Sequence, residues 1–396
     1  MSTTRAGSYV RQPGGYRAFV PAHLPPSPPV AVETMQALLG RAILAVGRLD
    51  GIAQTLPSAD LFVGMYVRRE AVLSSQIEGT QSTLEDLLAA ELEPTPRRQA
   101  RRDVDEVVNY VRAMNYGLGR LNELPLSLRL IREIHEELMR GVRDANRNPG
   151  QFRRDQNYIG PEGIAGISEA TFVPPPLPEM RKALHNFERW LHEDDEIPEL
   201  VRVAVAHAQF ETIHPFLDGN GRVGRLLITF LLVQRGILHR PLLYLSVYLR
   251  RHRAEYYDRL MAVRDSGDWE GWTRFFLRGV AETAEEATRT VRANLDLREE
   301  HAKIVTHENL GLNAMRLHDL LLQRPRLTVG VAAERLGVAF PTANKLVDRF
   351  CELELLEEVT GRRRNRVFSY QPYLTLFEEP ETHDDTPVQG TEADRG

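Results

Sequence analysis

The residues His214 to Arg225 carry the strongest chemistry of the sequence and read HPFLDGNGRVGR. They are followed directly by an apolar segment of helical spacing that ends near Gly236. Backbone amides of residues 219–221 would lie at a helix N-terminus, where free donors and the dipole favour an anion. Arg222 and Arg225 are three residues apart and share one face of the first turn. Since two guanidinium groups suit a polyphosphate better than a single carboxylate, the segment predicts a polyphosphate site.

Three other interpretations of this segment fit its residues less well. The string GNGRVG has the glycine pattern of a dinucleotide-binding turn, but that turn needs a preceding strand and an acid about 20 residues later. The preceding segment has helical spacing, and the next acid is Glu255. A P-loop would need Lys and Ser or Thr where the chain has Arg225 and Leu226. A simple polar helix cap explains neither the histidine nor both arginines.

The segment matches HxFx(D/E)GNGRxxR, the signature of the Fic (filamentation induced by cAMP) family, at every fixed position. The related Doc branch has Ala-Asn-Lys where this chain has Gly219-Asn220-Gly221. The sequence therefore resembles the nucleotidyl-transferring majority of the family. The resemblance covers the Pro-rich N-terminal arm to about residue 290. It implies an all-α fold with a Fic-type helical core and a short β-hairpin flap.

This resemblance implies transfer of AMP from ATP to a Ser, Thr or Tyr hydroxyl, with release of pyrophosphate. His214 would be the general base that takes the hydroxyl proton, and Asp218 would hold a Mg²⁺ ion bridging two phosphates. Phe216 would pack into the core and fix the loop. Arg222 and Arg225 would hold the β- and γ-phosphates, while Asn220 and the neighbouring amides would stabilise charge on the α-phosphate. The predicted phosphate-binding residues are Gly219, Asn220, Gly221, Arg222, Val223, Gly224 and Arg225.

A second motif, SSQIEG at residues 74–79, is similar to the family's inhibitory pattern [S/T]xxxE[G/N]. Taken alone, it equally describes an exposed helix end with a solvated Glu78 and a terminating Gly79. The resemblance places Glu78 against Arg225, where it would block the site of the γ-phosphate. The chain would then be inhibited in cis, and removal of Glu78 would raise modification of the protein by itself. In related proteins the same glutamate supports removal of AMP, so activity in both directions is a further expectation.

Three other features near this site are predicted with alternatives. Residues 149–153 and the hairpin at 155–172 resemble the family's flap, which adds a strand to the target backbone; an ordinary surface loop is the alternative. Tyr257, rather than Tyr256, is the residue expected to line the adenine pocket, with core packing as the alternative. His207 is expected to be a packed helix histidine and not a ligand.

The rest of the chain is predicted to be largely helical from about Val32 to Arg298. Pro and Gly within residues 11–30 exclude a regular helix there, and the aromatic residues Tyr16 and Phe19 favour an arm that docks on the body. The helices expected after residue 100 are Val104–Leu121, Leu128–Met139, Met180–His192, Glu199–Ile213, Arg222–Arg235, Ala254–Arg264 and Trp269–Arg298. The expected division is an N-terminal arm and inhibitory region at 1–115, a catalytic core at 116–295, a C-terminal domain at 305–375 and a disordered tail at 378–396.

Residues 311–370 resemble a winged helix-turn-helix. Helices at Thr328–Leu336 and Pro341–Leu353 would precede wing strands at Leu356–Val359 and Val367–Tyr370. Ten Lys and Arg stand against seven Asp and Glu here, a net charge of +3, and four arginines cluster within residues 362–366. Such modules bind DNA through helix and wing, and a protein-interaction or dimerisation module is the alternative.

Composition limits the class of protein. The chain has 396 residues, of which 42% are hydrophobic and 27% charged, as in globular proteins with a sizeable core. No apolar run reaches the ~18 residues of a membrane helix. The start has no apolar signal region and Cys351 is the single cysteine, so a cytoplasmic location and no disulfide are expected. The net charge of −5 excludes binding of nucleic acid through bulk charge.

The sequence therefore predicts a protein adenylyltransferase that uses ATP and Mg²⁺ and acts on protein hydroxyls including its own. Its activity is expected to be inhibited by Glu78. A homodimer is the family's habit. The rival is a DNA-binding transcriptional regulator whose core only senses a nucleotide. A nearer rival is a transferase that uses another nucleotide donor. The intact set of His214, Asp218 and Arg225 favours the enzyme.

Overall fold

A computed structural model describes residues 3–56, 59–92, 100–141, 148–160, 166–193 and 195–378. Helices dominate these ranges, which confirms the all-α class. The helices are α1 Gln36–Gln54, α2 Ala59–Ile77, α3 Leu84–Leu92, α4 Ala100–Arg120, α5 Leu128–Leu138, α6 Leu177–His192, α7 Glu199–Ile213, α8 Asn220–Gln234, α9 Ser246–Arg251, α10 Arg253–Ser266, α11 Trp269–His307, α12 Leu312–Gln323, α13 Val329–Leu336, α14 Phe340–Glu352 and α15 Gln371–Leu374. None of these helices is long and apolar enough to cross a membrane.

The two central helices, α7 and α8, are hydrophobic on nearly all sides and are almost completely buried. A helix of that pattern must be surrounded by other elements. Here α4, α5, α6, α10 and α11 pack around the pair. The loop at residues 214–219 joins α7 to α8 and carries the predicted anion site. The functional segment is thus held between two rigid helices in the middle of the core.

A small antiparallel sheet in the N-terminal arm was not predicted. Its strands are β1 Thr3–Thr4, β2 Gly7–Arg11 and β3 Arg17–Pro21, in the order β1-β2-β3. Phe19 on β3 is fully buried, and its amide donates to the carbonyl of Val173 at 2.9 Å. The arm therefore docks on the body beside the base of the flap segment, as expected from its aromatic residues.

Most predicted helices lie within a few residues of their expected bounds. Helix α11 is the main exception, because it continues to His307 and connects the core to the C-terminal region. The domain boundary predicted at 115/116 lies within α4, and the one at 295–305 lies within α11. The division into domains stays a prediction. The predicted tail lies outside the described residues beyond Glu378.

The C-terminal region contains α12, α13 and α14 and a second antiparallel sheet, with β4 Arg326–Thr328, β5 Glu357–Glu358 and β6 Val367–Ser369 in the order β4-β6-β5. These elements lie where the sequence predicted two helices and two wing strands, while the winged-helix assignment itself stays a prediction. The region packs directly on α2 and α3. Arg326 forms an ion pair with Glu85 at 2.7 Å, and the rings of Phe377 and Tyr66 meet edge to face.

Candidate active site

The loop between α7 and α8 is shaped by its own residues. His214 ends α7 with a left-handed backbone (φ 47°), and Gly219 precedes α8 with φ 76°. The side chain of Asn220 accepts a hydrogen bond from the amide of Phe216 and donates one to its carbonyl, both at 2.8 Å. Asn220 thus closes the loop into a tight turn. Its side-chain oxygen and one of its two N–H donors are used in that way, and its predicted contact with the α-phosphate stays a prediction.

Phe216 is fully buried, as predicted, and stacks on the ring of His135 from α5 at 3.8 Å. The amide of Gly150 donates to Nδ1 of His135 at 2.9 Å, so Nε2 carries the proton and donates to the carbonyl of Asp218 at 3.1 Å. Burial lowers the pKa of His135 to about 4, which keeps this ring neutral. His135 is therefore a structural support of the loop that the sequence analysis missed.

The flap segment holds the loop from the other side. The guanidinium of Arg153 donates to the carbonyl of His214 at 3.1 Å. The side-chain amide of Asn157 donates to the carbonyl of Phe216 at 2.8 Å. The predicted hairpin is represented by one antiparallel bridge between Ile159 and Phe172. Residues 161–165 lie outside the described ranges. The backbone of the predicted general base is thus fixed by the segment expected to bind the target.

Glu78 lies just after the end of α2, and its carboxylate binds Nη2 of Arg225 at 2.6 Å, as the inhibitory motif predicts. Ser74, also in that motif, accepts from Nε of Arg225 at 2.8 Å and, through its carbonyl, from Nη2 at 3.0 Å. Burial raises the pKa of Glu78, but the charge and hydrogen bond of Arg225 outweigh it and keep the pKa below its usual value. Glu78 is therefore an ionised partner of Arg225.

The same carboxylate lies against the first turn of α8. A Cβ added at Gly221 would be 2.2 Å from Oε1 of Glu78, so only glycine leaves room for this oxygen. The first amides of a helix have no partner within it, and the helix dipole is positive there. A carboxylate thus occupies the position where the sequence predicts an anion. The residues around it fit a phosphate group, which has the same acceptor chemistry.

The two arginines of the motif have different partners. While Arg225 binds Glu78, Nη1 of Arg222 binds Glu106 from α4 at 2.8 Å, and its Nη2 lies 3.7 Å from Asp218. The side chain of Asp218 is 34% exposed and accepts from the amide of Gly219 at 2.6 Å. A partly exposed carboxylate beside an anion site fits Mg²⁺, which is commonly held by one carboxylate together with substrate phosphates.

Two of the predicted phosphate-binding residues have packing roles. Val223 is fully buried in the core. Gly224 lies against α7, because a Cβ there would be 2.3 Å from Oε1 of Glu211. Their predicted contact with phosphate stays a prediction.

His214 is surrounded by a buried polar environment. Burial and the positive charges of Arg264 and Arg153 together lower its pKa to about 4, so the imidazole is neutral at physiological pH and can accept a proton. Its Nδ1 lies 4.0 Å from Oε2 of Glu211, one turn earlier on α7. Glu211 was not singled out from the sequence, although its spacing of three from His214 places both on one helix face.

The two tyrosines on α10 differ in their exposure, while the predicted role of Tyr257 at the adenine stays a prediction. Tyr256 is fully buried, and its hydroxyl contacts Nε2 of His207 at 2.9 Å. His207 also donates from Nδ1 to the carbonyl of Gly224 at 2.9 Å, which makes it a packed helix histidine. Tyr257 is 40% exposed, and Arg253 lies over its ring. Of the two tyrosines, only Tyr257 presents a face that a ligand can reach.

Comparison with known proteins agrees with this geometry. The model of the Fic/DOC family N-terminal region matches residues 36–119, and that of the Fic/DOC family matches residues 125–232. A protein adenylyltransferase Fic of Drosophila virilis is 27% identical over 235 residues, which are 59% of this chain and 43% of that protein. One of Aedes aegypti is 30% identical over 198 residues, 50% of this chain and 35% of that protein. This chain therefore spans less than half the length of these relatives.

Two solved structures are similar in fold. A Fic family protein from Desulfovibrio desulfuricans G20 superposes with a TM-score of 0.52 at 20% identity, covering 84% of this chain and 95% of that one. A Fic domain containing signaling protein from Bacteroides thetaiotaomicron VPI-5482 gives 0.51 at 17% identity, covering 64% and 97%. At this identity the similarity concerns the fold alone.

Proposed function

Because the chain belongs to the Fic/DOC family, we propose that it is a protein adenylyltransferase that transfers AMP from ATP to Ser, Thr or Tyr hydroxyls of proteins, itself included. One observation carries this proposal. A neutral, largely enclosed histidine lies in the loop before α8, whose first turn, together with Arg225, binds a carboxylate. We call Arg225 and the first turn of α8 the anion cradle. A nucleotidyl transfer needs a base held rigidly beside such a group of anion-binding donors.

In the proposed mechanism, His214 takes the proton of the target hydroxyl as its oxygen attacks the α-phosphate of ATP. The new P–O bond joins AMP to the target, and the bond to the leaving pyrophosphate breaks. Asp218 would hold a Mg²⁺ ion, which supplies positive charge to the α- and β-phosphates. Arg225 would bind the γ-phosphate and Arg222 the β-phosphate. Tyr257 would pack against the adenine.

Glu78 would hold this activity low, because Arg225 cannot pair with Glu78 and with a γ-phosphate at once. ATP would bind productively only after Glu78 leaves the guanidinium. The same carboxylate lies at the cradle and would be available to orient a water molecule, so we also propose that it supports removal of AMP from a modified hydroxyl.

Intact-mass spectrometry after incubation with ATP and Mg²⁺ tests the proposal. The samples are the wild type, Glu78→Gly, and Glu78→Gly combined with His214→Ala. We expect an added AMP mass in Glu78→Gly, less in the wild type, and none in the double variant. Parallel incubations with GTP, CTP and UTP identify another donor by its different added mass. No adduct with any nucleotide or with a protein extract would refute transferase activity.

A second candidate function is nucleic-acid binding by the C-terminal region. Residues 361–365 at the turn between β5 and β6 are exposed and include three consecutive arginines. Arg366 contacts Asn344 and Asp348 on α14, so this basic turn lies beside that helix. Fluorescence anisotropy with a labelled DNA duplex tests it, since a triple alanine variant at residues 362–364 would lose any binding that these arginines provide.

A further inference from the structure

Glu211 is a buried carboxyl group next to the predicted general base. It lies on α7 one turn before His214, with 8% of its side chain exposed. Its Oε2 is 4.0 Å from Nδ1 of His214. Within the described part of the chain, neither Nδ1 of His214 nor Oε1 of Glu211 has a hydrogen-bond partner. Buried polar atoms are normally paired, so these two groups need an explanation.

The position of the imidazole proton, and its dependence on the ionisation of Glu211, supplies an explanation. A neutral imidazole carries its proton on one nitrogen, and the partner of the other nitrogen decides which. An ionised Glu211 can only accept, and it therefore favours the proton on Nδ1. A protonated Glu211 can donate to Nδ1, which places the imidazole proton on Nε2. Only in the first case does Nε2 have a lone pair for the target's proton.

We propose that Glu211 is a positioning residue that holds the proton of His214 on Nδ1 and so keeps Nε2 ready to accept the proton of the target hydroxyl. When Nε2 gains that proton, the imidazolium donates from Nδ1 to the carboxylate and its positive charge is stabilised. A movement of about 1 Å closes the 4.0 Å separation to hydrogen-bond length. The inference rests on the proposed transferase function.

The ionisation of Glu211 depends on charged groups that include Glu78, the residue of the inhibitory contact. The pKa of Glu211 is raised to about 7, because burial and, to a smaller extent, the charge of Glu78 raise it more than Arg225 and Arg264 lower it. Arg264, from α10, also binds the carbonyl of Glu211 at 3.2 Å. Removal of Glu78 therefore favours the ionised Glu211 and the competent form of the histidine. His214 itself faces Arg264, Arg153 and Glu78, and the backbone of Glu211 also approaches its ring.

The kinetic test compares variants made in the Glu78→Gly background. We expect Glu211→Gln to lower kcat by at least about tenfold at pH 8, with the KM for ATP within about twofold, since the base and not the anion cradle is affected. The rise of rate with pH through neutrality should disappear in Glu211→Gln and persist in Glu211→Asp. Glu70→Gln is the matched control, because Glu70 is another buried glutamate whose pKa burial raises to about 7. A Glu211→Gln protein with an unchanged kcat and pH profile overturns the proposal.

A second arm needs no turnover. Nitrogen-15 NMR of histidine-labelled protein reports which ring nitrogen carries the proton, and the signal of His214 is the one absent from His214→Ala. We expect the Nδ1 and Nε2 shifts of His214 to change near pH 7 in the wild type and in Glu70→Gln, and to stay constant in Glu211→Gln. Identical shifts at every pH in wild type and Glu211→Gln overturn the inference. If Glu78→Gly transfers no AMP, the proposed function fails while this arm still decides the role of Glu211.

Discussion

Replacement of Glu78 by glycine isolates the contact that closes the anion site. In the structure its carboxylate binds Arg225 at 2.6 Å and fills the space above Gly221. The substitution removes both the ion pair and the oxygen over the helix N-terminus. It leaves the Ser74 contacts of Arg225 in place, so the guanidinium stays oriented. The expected result is greater AMP transfer without loss of the fold.

The size of the increase follows from the exposure of the pair. A hydrogen bond to a charged group contributes about 1.5–3 kcal/mol when it is buried. The side chain of Arg225 is 1% exposed but that of Glu78 is 36% exposed, so water screens part of the interaction. A contribution of about 1–2 kcal/mol corresponds to a roughly 5- to 30-fold increase in the fraction of molecules that bind ATP productively.

The assay measures the initial rate of AMP incorporation from the intact mass of the protein, at subsaturating ATP with Mg²⁺. Glu91→Gly is the matched control, because Glu91 pairs with Arg68 at 2.8 Å and its side chain is 32% exposed. It removes a similar carboxylate far from the anion cradle and should leave the rate unchanged. Equal rates for Glu78→Gly and the wild type, both abolished by His214→Ala, would refute inhibition by Glu78. An increase of the same size in Glu91→Gly would show that the effect is not specific to the contact between Glu78 and Arg225.

Three further predictions concern the metal, the packing and the pH dependence of stability. Asp218→Asn in the Glu78→Gly background should lower transfer at least about tenfold and raise the Mg²⁺ concentration for half-maximal rate, and an unchanged magnesium titration would contradict the assigned role. Gly224→Ala should lower the free energy of unfolding by about 1–3 kcal/mol, since a Cβ would lie 2.3 Å from Oε1 of Glu211, and urea denaturation measures it. Gly47→Ala, on α1, where nothing lies within 4 Å of a Cβ, separates packing from the general effect of the substitution in a helix. Burial lowers the pKa of His207 to about 4, so its contribution to stability is lost as the pH falls from about 6.5 towards 4. The urea midpoint should therefore fall less between pH 7 and pH 5 in His207→Gln than in the wild type, a comparison from which the buried carboxylates cancel.

The catalytic loop and most helices could be predicted because their signals are local. Helix α7 extends over the predicted Glu199–Ile213, since its sequence has no glycine or proline to end it earlier. The glycine at 219 adopts the left-handed conformation that begins α8. The inhibitory pair of Glu78 and Arg225 was also expected, but from resemblance to a family and not from spacing.

What could not be predicted depends on contacts between distant segments. Nothing local indicates that Arg222 binds Glu106, which is 116 residues away, instead of sharing a ligand with Arg225. The N-terminal sheet was missed because β3 is stabilised by pairing with β2 and by docking on Val173. The role of Glu211 needs the burial of α7, since an exposed glutamate at this spacing would be an ordinary helix surface residue.

Three carboxyl groups lie near the charge of Arg225: the buried Glu70 and Glu211 and the partly exposed Glu78. The charge of Arg225 lowers the pKa of Glu70, Glu78 and Glu211, yet only Glu78 ends below its usual value, while burial keeps the other two near 7. One guanidinium thus holds one carboxylate fully ionised. A γ-phosphate has more charge than a carboxylate and three acceptor oxygens, so it is the stronger partner once it reaches the same nitrogen atoms. Its arrival and the departure of Glu78 are therefore one event.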